Sequence, residues 1–62
     1  MPKFITVNQD ANKYHINIDN IYYINKSQFI FGSVKYNTEI KMNDSLICCQ
    51  ETVSEIMEMI NA

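Results

Sequence analysis

Apolar and polar residues alternate with a period of two along most of the chain ahead of residue 50, which is the signature of half-buried strands. Residues 3–8 read as a first strand, with Ile5 and Val7 on one face and Phe4 and Thr6 on the other. Gln9, Asp10, Ala11 and Asn12 have turn composition. Residues 13–18 read as a second strand, in which Tyr14, Ile16 and Ile18 alternate with His15 and Asn17. Asp19-Asn20 interrupts the pattern, and the run Ile21-Tyr22-Tyr23-Ile24 is apolar throughout, which predicts a strand covered on both faces. Residues 25–28 read as a turn. Phe29-Ile30-Phe31 is a short apolar run stopped by Gly32, the only glycine, where a bulge or kink is expected. From Val34 the alternation is cleanest: Val34, Tyr36, Thr38, Ile40 and Met42 face one way, and Lys35, Asn37, Glu39 and Lys41 the other. Asn43-Asp44-Ser45 signals a tight turn. A two-residue loop at Asp44-Ser45 sets Met42 opposite Ile47 and Ile40 opposite Cys49, with Cys49 inside and Cys48 outside.

The period then changes. Thr52-Val53-Ser54-Glu55 is a capping box, in which the Thr52 hydroxyl takes the Glu55 amide and the Glu55 carboxylate reaches back. Val53, Ile56, Met57 and Ile60 follow at i, i+3, i+4 and i+7, one apolar stripe. Glu55, Glu58 and Met59 lie off it. The helix is expected at about residues 52–61, docked by its stripe on the sheet. The fold class this predicts is α+β in one small domain over 1–62: four or five short antiparallel strands, forming a twisted sheet or a small open barrel, followed by one C-terminal helix.

Two segments resemble a known outline. In INIDNI, Ile16, Asn17, Asp19 and Ile21 carry an I-N-x-D-x-I pattern; in TEIKMNDSLICCQETVSEIMEMI, Glu51, Thr52, Glu55 and Ile56 carry an E-S/T-x-x-E-I/V pattern. Together they resemble the small flagellar and swarming-motility protein family and short bacterial and phage proteins of the same outline. The chain departs from it at Ser45, where glycine is usual, and in a longer middle at residues 25–37. The matching positions are turns, caps and core. The resemblance therefore implies a fold and a non-enzymatic accessory role, and it carries no site.

Composition narrows the function classes. The chain has 62 residues, 47% of them hydrophobic and 19% charged, which excludes intrinsic disorder. Its start turns polar too soon for a signal peptide, and no run approaches about 18 apolar residues, so a cytoplasmic chain without a membrane partner is expected. Five lysines, no arginine and seven acids give a net charge of −2, a poor balance for gripping a phosphate backbone. Ten Ile and eight Asn with no Arg suggest an AT-rich genome, as in a phage. A chain this short is only marginally stable alone, and small domains add disulfides, a metal or a partner chain. Adjacent Cys48 and Cys49 do not readily bridge each other, and one histidine makes no zinc site. A homo-oligomer is the device that remains.

The candidate chemistry is sparse. His15 lies on the polar face of its strand with no nucleophile paired to it by spacing. Glu51, Glu55 and Glu58 form an acidic helix face, read as capping and solvated surface. Cys48 is the more reactive candidate of the two thiols. No catalytic residue, metal or cofactor is expected. The aromatics are the informative set, because one small core does not readily bury them all. Tyr22, Tyr23, Phe29, Phe31 and Tyr36, with Met59, are the interface candidates for a self-associating protein that binds another protein, such as a phage or mobile-element accessory protein acting on a host protein or defence system. The alternatives are a small-ligand binder holding a nucleotide-like compound between subunits through His15, Lys35, Tyr36 and Lys41, and a binder of single-stranded nucleic acid that stacks bases on its aromatics.

Overall fold

The structure, a computed structural model, describes residues 3–28 and 30–62. Strands β1 (Phe4–Gln9) and β2 (Asn12–Asn17) form an antiparallel hairpin closed by Asp10-Ala11. Asp10 sits at φ 54, in the left-handed region that a short Asp side chain tolerates better than most. Ile5 pairs with Ile16 and Val7 with Tyr14 on the inner face, and Thr6 pairs with His15 on the outer. Asp19-Asn20 ends the pattern as expected, through one turn of 3-10 helix at Ile18–Asn20 that the Asn17 side chain caps by accepting from the Asp19 N–H at 3.0 Å.

The main sheet has the order β3-β6-β7, from β3 (Ile21–Lys26), β6 (Thr38–Met42) and β7 (Leu46–Cys49). Between β3 and β6 the chain makes a two-stranded hairpin, β4 (Ile30–Phe31) and β5 (Val34–Lys35). Gly32, at φ +61, opens the turn of this hairpin rather than making a bulge within a longer strand. The α+β class stands. The described strands number seven, against the four or five expected, because Ile30–Phe31 forms a strand of its own and the run expected to continue from Val34 to Met42 divides at Tyr36-Asn37, where its burial alternation nonetheless persists. Asn37 is anchored there: its N–H donates to Cys49 O at 2.9 Å, its Nδ2 to Gln50 O at 2.6 Å, and its carbonyl accepts from Ser27 N. The sheets do not close into a barrel. No helix among the described residues is long and apolar enough to cross a membrane.

Three local expectations change. Asn25 and Lys26 belong to β3, not to a turn. The β6-β7 loop is Asn43-Asp44, with Met42 N–H donating to Ser45 O at 2.8 Å, so Ile40 faces Ile47 and Thr38 faces Cys49. Each partner moves by two residues, an even step that keeps every side chain on its face, and Cys49 is still buried. The run Ile21–Ile24 is covered on one side only. The register passes from Ile21↔Met42 to Tyr23↔Lys41, so Tyr22 is the extra residue of a β-bulge. The bulge resets the parity: Ile21 and Ile24, three apart, both turn inward and pack on the core, and both tyrosines stay exposed.

The helix α1 (Val53–Ile60) begins at the expected capping box, with Glu55 N donating to Thr52 Oγ1 at 3.1 Å and Thr52 N to Glu55 Oε1 at 2.9 Å. Its roll about its axis differs from expectation. Ile56 is fully buried, Met59 packs on the core and Met57 is exposed. At about 100° per residue, Val53 and Met59 lie about 60° to either side of Ile56, whereas Met57 lies about 100° away. Centring the buried stripe on Ile56 thus brings Met59 in and turns Met57 out. Among the described residues the central core cluster is Ile5, Val7, Ile16, Ile40, Cys49 and Ile56, and Tyr36 is the one described aromatic that is buried.

Candidate functional site

The central core cluster is filled by isoleucine, valine and cysteine, which leaves most of the described aromatics for the surface. Of the six described aromatic residues, Phe4, Tyr14, Tyr22, Tyr23 and Phe31 are exposed and only Tyr36 is buried. Tyr22 and Phe31 are the most open, at 67% and 69%. Ile30 is exposed next to Phe31 in sequence, and Leu46 is exposed on the far side of Lys41 from Tyr23. Large apolar groups left in water by so small a chain are the kind of feature that marks an interaction surface.

The structure treats the interface candidates differently. Tyr22, Tyr23 and Phe31 are presented. Tyr36 is 8% exposed because it shares the inward side of its run with Thr38 and Ile40. Met59 is turned into the core by the roll of α1. Phe29 lies outside the described residues. The ligand candidates are not gathered. His15 is on the exposed side of the β1-β2 sheet, its Nδ1 2.9 Å from Thr6 Oγ1; Lys35 is on the β4-β5 hairpin; Lys41 is on the outer face of β6. The described residues form surface grooves of about 410 Å³ (Glu51, Glu55, Glu58, Met59, Ala62) and about 240 Å³ (Lys26, Asn37, Thr52, Val53, Ser54), and neither of these is lined by His15, Lys35, Tyr36 or Lys41.

The acidic face of α1 divides by role. Glu55 serves the cap. Glu51, which by sequence reads as solvated surface, is held by Asn8: Asn8 N donates to Oε1 at 2.9 Å and Asn8 Nδ2 to Oε2 at 2.6 Å. Around it, Gln50 N donates to Asn8 O at 2.9 Å, Gln9 Nε2 to Cys48 O at 2.9 Å, and Thr38 Oγ1 to Glu51 O at 2.6 Å. This cluster sews the β1-β2 hairpin to the segment leaving β7. Its parts lie 39 and 43 residues apart across the hairpin contacts, so no local motif announces them. Among the described residues no group of three or more His, Cys, Asp or Glu is placed to hold a metal ion.

The two thiols point to opposite faces of β7 and are both free. Burial pushes the Cys49 thiol up to about 11; the Glu51 charge adds to the rise and a backbone hydrogen bond with Glu51 offsets part of it. Cys49 therefore stays a neutral core group. A thiol ionises more readily in the unfolded chain, near 9, than in the folded one. Below that pH both states keep the proton; above it the unfolded state loses the proton first, so stability falls as pH rises through the window from about 9 to about 11. Urea denaturation at about pH 8 and about pH 10.5 is expected to show a larger alkaline loss in the wild type than in Cys49→Ala, and equal losses would assign the effect to other groups.

Comparison with family models, with curated proteins and with solved structures returned no match.

Proposed function

We propose that this chain is a small, non-enzymatic interaction protein that self-associates and presents its aromatic surface to another protein. The observation that carries the reading is that five of the six described aromatic side chains are exposed while the central core cluster is built from Ile, Val and Cys. The β3 bulge is the device that accomplishes much of it, since it holds Ile21 and Ile24 inside while leaving Tyr22 and Tyr23 in water. Rings with an apolar body and a polar tip are enriched at protein interfaces. Between Asn20 and Thr38 the chain carries Lys26 and Lys35 and no acid, so the partner it suits has an acidic rim around an apolar patch. The likeness to small motility-type accessory proteins points the same way, and an accessory role in the cytoplasm, encoded by a phage or mobile element and directed at a host protein, fits size and composition. Within one subunit nothing favours the ligand-binding alternative, since His15, Lys35 and Lys41 stand on three separate sheets and Tyr36 lies between strands.

Native mass spectrometry with sedimentation velocity tests the reading. A dimer or larger species without added mass is expected, and Tyr22→Ala with Phe31→Ala, which removes rings offered to the other protein, is expected to shift stability by less than about 0.5 kcal/mol. Tyr36→Ala, at a buried position, serves as the contrast and acts on stability. A chain that stays monomeric at every concentration, or Tyr22 and Phe31 changes that cost several kcal/mol of stability, overturns the reading. Added mass of one compound per subunit replaces it with the ligand-binding one.

A further inference from the structure

The outward face of the main sheet is ordered in two transverse rows. Reading from β3 across β6 to β7, one row is Tyr23, Lys41 and Leu46, and the next is Asn25, Glu39 and Cys48. Their neighbours Ile24, Ile40 and Ile47 turn the other way and pack in or against the core. The two charges therefore stand on the middle strand, two residues apart, at the centre of the face. Tyr23 and Leu46 flank Lys41 and are both exposed, whereas Lys41 and Glu39 are already half-buried by their neighbours.

We propose that this face packs against the same face of a second copy of the chain, with the strands of the two copies running in opposite directions, so that Lys41 of each copy meets Glu39 of the other. The inference rests on the self-association read above and names the surface and the symmetry. Two identical faces stacked with aligned strands are related by a two-fold axis lying between them, and only two orientations of that axis keep the strands aligned. An axis along the strands places each row on its own copy. Lys41 then lies over Lys41 and Glu39 over Glu39, two like-charge contacts at the centre of the patch. An axis across the strands places each row on the other. Lys41 then lies over Glu39 twice, Tyr23 covers Asn25, and Leu46 covers Cys48. Like charges brought together in a closing interface cost several kcal/mol, and a single buried charge without a partner is no better. The charge pattern of β6 is thus self-complementary in one arrangement and self-repelling in the other. A face three strands wide, at about 4.8 Å per strand, buries less than the roughly 800 Å² per partner of a standard interface, so the association is concentration-dependent rather than permanent. It also leaves the β4-β5 hairpin, with Ile30 and Phe31, to a different protein.

Charge exchange on this one strand tests the arrangement. Sedimentation velocity at low salt is run on the wild type, Glu39→Lys, Lys41→Glu and the double exchange, with circular dichroism confirming that each is folded. Each single variant is expected to associate about tenfold or more weakly, because every central contact becomes like-charged. The double exchange restores opposite charges and is expected to associate as the wild type does. An equimolar mixture of the two single variants pairs an all-acidic strand with an all-basic one and is expected to associate where neither does alone. Alkylation of Cys48 in the unmodified protein is expected to slow as concentration rises. Single variants that associate normally, a folded double exchange that stays monomeric, or a Cys48 rate independent of concentration overturns this interface and leaves self-association through another surface standing. A wild type that is monomeric throughout overturns both.

Discussion

Truncating Ile40 to alanine is expected to cost about 2–5 kcal/mol, enough to leave much of the protein unfolded at physiological temperature. Ile40 has no solvent exposure. It sits in the middle of the middle strand, with Ile24 on one side and Ile47 on the other, and belongs to the cluster that joins Ile5, Val7 and Ile16 of the hairpin to Ile56 of the helix. Removing its outer carbons opens a hole that three elements line, and the antiparallel ladders on both sides of β6 prevent the backbone from closing it. The loss is measured against a small total. At roughly 0.05–0.15 kcal/mol per residue, a chain of this length has only several kcal/mol in all. Phe31→Ala removes a larger side chain from a position 69% exposed and is expected to change stability by less than about 0.5 kcal/mol. Urea titration of both variants, with the slope held as the check on two-state behaviour, reads the difference. A cost at Ile40 below about 1 kcal/mol would mean that the three elements do not share one cooperative core.

What could be read in the chain ahead of its structure was local. The capping box at Thr52 and Glu55 is a four-residue signal, and it stands where expected. The inward face of β6 was legible because its alternation is unbroken, and it survived both the break at Tyr36-Asn37 and the even shift in the β6-β7 register. The bulge at Tyr22 was not legible, since four consecutive apolar residues have no period to disturb, and the parity of Ile21 and Ile24 depends on pairing with a strand some twenty residues away. The roll of α1 was underdetermined for a similar reason. Met57 and Met59 are both apolar, and which of them is buried is decided by what Ile56 meets. The candidate surface was therefore half visible. A surplus of aromatics shows in the composition, but that Tyr36 is covered while Tyr22, Tyr23 and Phe31 are presented is settled by the register.

The contact least visible in the sequence carries the other large effect. Glu51→Ala is expected to cost about 2–3 kcal/mol: this carboxylate accepts two hydrogen bonds, each contributing up to about 1.5–3 kcal/mol, less here because both residues are half-exposed and water replaces part of the loss. It leaves the Asn8 N–H without the acceptor that holds it, in a part-buried seam. Asn8→Ala removes only the side-chain half of the pair, the 2.6 Å bond from Nδ2, and is expected to cost less. The two changes share a partner, so the double variant is expected to fall short of their sum by about 0.5–3 kcal/mol. Glu51→Gln discriminates further: its amide nitrogen cannot accept from Asn8, so one of the two bonds is lost and an intermediate cost follows. The position of the contact determines what loosens. Asn8 is in β1 and Glu51 lies just beyond β7, and few other polar links join the β1-β2 hairpin to that segment, chiefly Gln50 N to Asn8 O and Gln9 Nε2 to Cys48 O. Amide exchange in Glu51→Ala is therefore expected to quicken in β1 and β2 before it quickens in β6, where Thr38 and Ile40 remain fully buried. Uniform acceleration across both sheets, or strictly additive costs at Asn8 and Glu51, would show that the seam is not the separate tie between hairpin and main sheet that its hydrogen bonds describe.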